Sequence, residues 1–213
     1  KGGILNTGAI RALANTDTTT LVTTNVTATA VSLGSYAVVP HLNVQAQITG
    51  QGATTPGIIS ARVSGTSGGI ANALFIGQGA KLPLLTIGRG ATIEAAVETS
   101  TLYPTIAVGT SASPFTLVAQ TIVDASGSLK TINNSGTISA YVTPVAPALD
   151  AVVVSTMRAI DLTASTANNI VINNSGTITG DILYGAGGNG YQLNVGNTGA
   201  GGAANPATGE LNT

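Results

Sequence analysis

The chain has 213 residues, a formal net charge of −1, 43% hydrophobic residues and only 7% charged ones, against roughly 25% charged in ordinary soluble proteins. Disorder is a poor explanation, because disordered chains combine low hydrophobicity with high charge; nucleic acid is a poor partner, because the net charge offers no basic face. Cysteine is absent, which excludes a disulfide framework and a thiolate metal site and suits a surface protein exported without cross-links.

In chain order, Ile4-Leu-Asn-Thr-Gly-Ala-Ile10 opens as a corner followed by a strand. The tract from Thr18 to Leu33 is dominated by Thr, Val and Ala, whose branched members fit a pleated surface and lose freedom in helices. From Thr18 to Ala61 the sequence is uncharged but crowded with Thr, Asn, Gln and Pro. It never supplies the ~18–20 consecutive apolar residues of a spanning helix, and 3% aromatics make a poor girdle for a membrane barrel. No membrane insertion of this segment is expected. Strand-like runs follow at Leu42–Ile48 and Ile58–Val63, with turns at Gly50–Gly52 and Pro56-Gly57. Next comes a tandem duplication, Phe75-Ile-Gly-Gln-Gly-Ala-Lys-Leu82 beside Thr86-Ile-Gly-Arg-Gly-Ala-Thr-Ile93. Short strands are read at Thr105–Val108, Phe115–Val118 and Thr121–Val123.

The clearest repeat is Ile132-Asn-Asn-Ser-Gly-Thr-Ile138, which returns as Ile172-Asn-Asn-Ser-Gly-Thr-Ile178. Asn and Ser side chains can bond nearby backbone and Gly tolerates positive φ, so Asn134-Ser-Gly136 and Asn174-Ser-Gly176 read as corners, with Asn6 and Gly8 as a looser relative. Ile138 and Ile178 then begin inward-facing strands. The isoleucines Ile48, Ile93, Ile138 and Ile178 recur at a nearly constant interval. With the tandem duplication, that interval suggests rungs of roughly 20–22 residues, two to each longer period. Strand and Asn-rich corner on a fixed period describe a solenoid: an all-β parallel β-helix is expected over 1–183, with the Gly-rich 184–213 as a terminal rung or irregular tail of the same domain. Stacked Asn134 and Asn174, with Asn6, are candidates for one corner ladder. Lys1-Gly-Gly-Ile is already repeat-like, so the chain reads as a mature or excised piece of something longer.

Ile-Asn-Asn-Ser-Gly-Thr-Ile resembles the passenger-domain repeats of Gram-negative autotransporters and related large bacterial surface β-helix proteins. Ala159-Ile-Asp-Leu before the second corner and Gly180-Asp-Ile-Leu-Tyr-Gly-Ala-Gly after it are similar as well, the resemblance covering about 126–190. It implies a right-handed parallel β-helix displayed at the cell surface of a Gram-negative bacterium or secreted, with roles in adhesion or aggregation. It does not settle an activity.

Catalytic residues are hard to assemble. Asn15-Thr-Asp17 resembles one element of the pectin-hydrolase signature, but no adjacent Asp pair exists and the one histidine, His41, lies between Pro40 and Leu42. Glu94 and Glu98, four apart on a strand, are separated by roughly 13 Å along the backbone, wider than a glycosidase pair. They read as solvated charges with a minor option of carbohydrate or cation contact. Asp150, Asp161 and Asp181 are isolated in sequence. Gly185-Ala-Gly-Gly-Asn-Gly190 lacks the aspartates of calcium-binding nonapeptides, and Gly77-Gln-Gly79 and Gly88-Arg-Gly90 lack the Lys-Ser/Thr of a phosphate loop. Asn25-Val-Thr27 is a glycosylation sequon by pattern only. Tyr103, Tyr141, Tyr184 and Tyr191 could offer stacking surfaces.

The reading is therefore a non-catalytic structural protein with no cofactor and no catalytic or metal residue. It would serve as an adhesin stalk, spacer or self-assembling extracellular filament or layer, its partners being further copies (end-to-end or lateral) or a host or neighbour cell surface. The alternative is a carbohydrate-binding or carbohydrate-active β-helix protein.

Overall fold

The computed structural model describes residues 2–16, 26–48, 54–65, 69–99, 115–143, 153–166, 169–185, 190–196 and 210–212. Thr/aliphatic alternation produces strands throughout, and no helix is present among the described residues.

The chain visits three sheets in turn. The first level comprises β1 (Ile4–Asn6), β2 (Ala9–Thr16) and β3 (Val26–Leu33). The second holds β4 (Leu42–Val44), a small antiparallel pair of β5 (Gln47–Ile48) and β6 (Thr54–Thr55), then β7 (Ile58–Gly65) and β8 (Gly69–Ile76). The third has β9 (Leu84–Ile87), β10 (Thr92–Thr99) and β11 (Phe115–Asp124). The fourth has β12 (Thr131–Asn134), β13 (Thr137–Thr143) and β14 (Val153–Leu162), and the fifth β15 (Val171–Asn174), β16 (Thr177–Thr179) and β17 (Asp181–Tyr184). Beyond these, β18 (Gln192–Val195) and β19 (Glu210–Asn212) add one more strand to the first and second sheets. The sheet orders are β1-β4-β9-β12-β15-β18, β19-β16-β13-β10-β7-β2 and β17-β14-β11-β8-β3. Among the described residues every strand pairing apart from β5–β6 is parallel. This all-β, three-sheet parallel arrangement is compatible with a parallel β-helix.

The register builds columns of equivalent residues. Ile4, Leu42, Leu85, Ile132, Ile172 and Leu193 form one, and Ile10, Ile59, Ile93, Ile138 and Ile178 another. Inward members from all three sheets belong to a single apolar core, and Ile59, Ile93, Ile138 and Ile178 are fully buried within it.

These columns correct the expected rung length. Between Ile4 and Ile172 each step to the next partner spans the whole of the longer period, so that period is one level and not two. In this column the step from Ile172 to Leu193 is as short as the expected rung, and in the third sheet the step from Ile160 to Ile182 is equally short. The extra length lies between the second and third sheets. There the distal parts of β7 and β8 lie face to face, and a Cβ on Gly69 would sit 2.6 Å from Val63 Cγ1. Small side chains (Ala61, Ala71, Ala95, Ala119, Ala140) fill this thin layer. In the fifth level Gly180, at φ 109°, carries the chain directly from β16 to β17 and omits the layer. Ile48 is likewise not a member of the isoleucine column. It lies in β5, and Ile59 holds the column position.

The tandem duplication marks two successive corners of the same circuit. Ala80 N–H donates to the Gly77 carbonyl and Ala91 N–H to the Gly88 carbonyl, each at 3.0 Å. Gly79 and Gly90 hold φ of 82° and 73°, the left-handed third position that a type II turn requires. The first level builds the equivalent turn from Gly34-Ser-Tyr-Ala37, with an N–H to carbonyl distance of 3.1 Å, but Tyr36 occupies the left-handed position at φ 69°.

Candidate functional site

At the repeat corners the asparagines act on the backbone. Asn134 Oδ1 accepts the Gly136 N–H at 3.1 Å, and its Nδ2 donates to Asn174 Oδ1 at 2.7 Å and to the Thr177 carbonyl at 3.1 Å. Asn174 Oδ1 accepts the Gly176 N–H at 3.2 Å. Asn6 repeats the arrangement more loosely, accepting the Gly8 N–H at 3.3 Å and donating to the Ile58 carbonyl at 3.0 Å. Asn6 shares the column of Asn134 and Asn174 but does not touch them: Val44 and Ile87 stand between. The glycines serve a different purpose from the positive φ expected of them. Gly136 and Gly176 are not left-handed. A Cβ on Gly136 would collide with the Ala91 and Gly88 carbonyls, and one on Gly176 with the Gly136 carbonyl. Close stacking of successive corners demands the missing side chain. At Gly8, in the first level, no described atom lies within 4 Å of such a Cβ. A second, outward ladder joins Asn194 to Asn173 and Asn173 to Asn133, both at 2.8 Å.

The outer face of the second sheet gathers ionisable groups far apart in sequence. Register places Arg62, Ala96 and Tyr141 in one column, with Ser60 and Glu94 in the column on one side and Ser64 and Glu98 on the other. Ala96 is small enough for its neighbours to meet above it. The Arg62 guanidinium donates to Tyr141 Oη at 3.1 Å and lies 3.7 Å from Glu94 and 3.3 Å from Glu98, while Tyr141 donates to Glu98 at 2.9 Å. Ala96 faces outward yet is completely buried beneath this bridge. Burial, the hydrogen bond to Glu98 and the nearby Glu94 charge push the Tyr141 phenol up to about 12. Glu94 and Glu98 thus converge on one cation, which their backbone separation alone conceals. Beside the bridge, Arg11, Leu13, Ile58, Ser60, Arg62 and Glu94 line a depression of about 520 Å³.

The remaining candidates are dispersed. Asp161 is buried and accepts from Arg158 at 2.9 Å and from the Thr163 hydroxyl at 2.6 Å, and the equally buried Asp124 accepts the Ser126 hydroxyl and the Leu129 N–H. Both fold turns around themselves. Asp181 is exposed at the start of β17. The His41 ring packs against Gly3. Tyr184 and Tyr191 meet with ring centroids 4.5 Å apart and a 52° tilt, and burial raises the Tyr184 phenol pKa. Asp17, Asn25, Tyr103, Asp150 and Asn189 lie outside the described residues, as does Thr105–Val108. Among the described residues no group of three or more His, Asp or Glu could hold a metal ion.

Sequence reasoning missed Ser60 and Arg62 as partners of Glu94, and Arg11 in register with Ser60 on the far side. The signal was present in the offset that aligns Ser60-Ala-Arg62 with Glu94-Ala-Ala96, once the level length is known. No protein-family model matches the chain, and neither a curated protein nor a solved structure is similar to it at a significant level.

Proposed function

We propose that this chain is a right-handed parallel β-helix working as a non-catalytic structural element of a bacterial cell surface or secreted layer, and that it associates with further copies of itself. The supporting observation is the continuous register of the first-sheet column from Ile4 to Leu193. Parallel strands joined by crossovers are right-handed in nearly all proteins. Six stacked strands at ~4.8 Å span ~24 Å along the stack, a height that joining to further copies would extend. Low charge removes one common guard against such joining. The outermost strands β1 and β2 also expose Leu5 and Leu13 at 63% and 68%.

Negative-stain microscopy over a concentration series, with light scattering alongside, tests the reading. Filaments or layers whose fibre diffraction gives the ~4.8 Å strand repeat along their axis support it. A monomer at every concentration that also cleaves polysaccharide would overturn it.

A further inference from the structure

The depression on the second sheet has the chemistry of a ligand site. Ser60, a small residue, forms its floor, with Arg11 one strand away on one side and Glu94 one strand away on the other. Arg62 and Leu13 bound it along one flank and Ile58 along the opposite one. Its volume, about 520 Å³, falls within the ~300–1,000 Å³ of small-ligand clefts. Two guanidinium groups and one carboxylate line it, and a second carboxylate, Glu98, lies 3.3 Å from Arg62 beside it. Arg62 is already engaged by Glu94, Glu98 and Tyr141, whereas Arg11 is exposed and makes no ion pair among the described residues. Arg11 is therefore the guanidinium open to a ligand.

These groups specify a ligand. A fork of N–H donors on Arg11 suits a carboxylate, which it can bind through two parallel hydrogen bonds. Glu94 accepts only, so the ligand must present a hydroxyl donor there, and a dianion such as phosphate would be repelled by the same carboxylate. Ser60 Oγ, 3.5 Å from Glu94, is held so weakly that a ligand hydroxyl can take its place. Leu13 and Ile58 offer aliphatic surface to an apolar ring face. We propose that this depression binds a carboxylated sugar unit, with Arg11 on the carboxylate, Glu94 and Ser60 on ring hydroxyls, and Leu13 and Ile58 against the ring. The proposal concerns the single chain and does not depend on assembly.

The test is a ¹⁵N-labelled titration of the intact chain with D-glucuronate, D-glucose and acetate in parallel. Saturable shifts confined to amides near residues 11–13, 58–62 and 92–94 are expected with glucuronate, in the millimolar range usual for a ligand bound by about 4 kcal/mol. Glucose and acetate, each lacking one half of the recognition, should bind at least about tenfold more weakly. Arg11→Gln should weaken glucuronate about tenfold through loss of a charge-assisted bond while leaving the melting temperature unchanged. Arg89→Gln, which removes an exposed positive charge in the Gly88–Ala91 turn, should leave binding as it was. Equal responses to acetate and glucuronate, equal losses in the two variants, or no saturable shift would each overturn the proposal.

Discussion

Replacing Asn134 by alanine isolates what the Asn-Asn-Ser-Gly corner contributes. The side chain makes three hydrogen bonds, to the Gly136 N–H, Asn174 Oδ1 and the Thr177 carbonyl, at 3.1, 2.7 and 3.1 Å. Asn174 Oδ1 would keep the Gly176 N–H, so its loss is the ordinary ~1 kcal/mol of one bond. The Gly136 N–H, in a buried residue, would lose the acceptor that satisfies it. An orphaned buried donor costs ~1–3 kcal/mol, and the Thr177 bond adds up to about 1 more. The expected destabilisation is ~2–5 kcal/mol, read from urea unfolding as a lower midpoint at constant slope. Asn134→Val sharpens the test, because Val44 and Ile87 occupy the same column at other levels without strain on the core. Valine leaves little cavity, so its cost should stay near ~3 kcal/mol and report the hydrogen bonds. A cost below ~1 kcal/mol for Asn134→Val would refute the reasoning. The corner would then re-form as a Gly88–Ala91-type turn with no help from the side chain. A double-mutant cycle with Asn174→Val should return a coupling of ~1 kcal/mol for the amide–amide bond.

Two further outcomes follow from the same geometry. Tyr36 sits at φ 69° where the equivalent turn has Gly79, and it is 89% exposed; Tyr36→Gly should therefore raise stability by up to ~1 kcal/mol by removing left-handed strain, and a lower melting temperature would show that the ring makes contacts that matter more. Tyr141 holds its proton to about 12 in the fold, against about 10 when unfolded. Its contribution is complete below pH ~10, declines as the unfolded chain ionises, and is gone above pH ~12. The phenol is partly exposed, so screening limits the loss to ~1 kcal/mol or less. Alkaline unfolding curves of wild type and Tyr141→Phe should converge between pH ~10 and ~12, and parallel curves would contradict the bridge.

The all-β character, the Asn-Gly corners and the inward isoleucines at 138 and 178 were legible in the sequence. Each rests on local chemistry: β-branched alternation disfavours helix, and asparagine two residues before glycine bonds its backbone. The length of a level was not legible. Gly180 cuts one circuit to about half the length of the others, which face-to-face strands extend, and alternation reads the same in a thin two-sheet layer as around a core. The reason for Gly136 and Gly176 was hidden as well, because a glycine needed for contact with the level beside it looks like one needed for a turn. The convergence of Arg62, Glu94, Glu98 and Tyr141, and the depression beside it, exists only through register. Strand pairing at ~4.8 Å brings residues a whole circuit apart side by side, and a small alanine lets them meet. Sequence alone determined what each residue can do locally; tertiary structure decided which residues meet, because neighbours across a parallel sheet are set by the length of the intervening circuit.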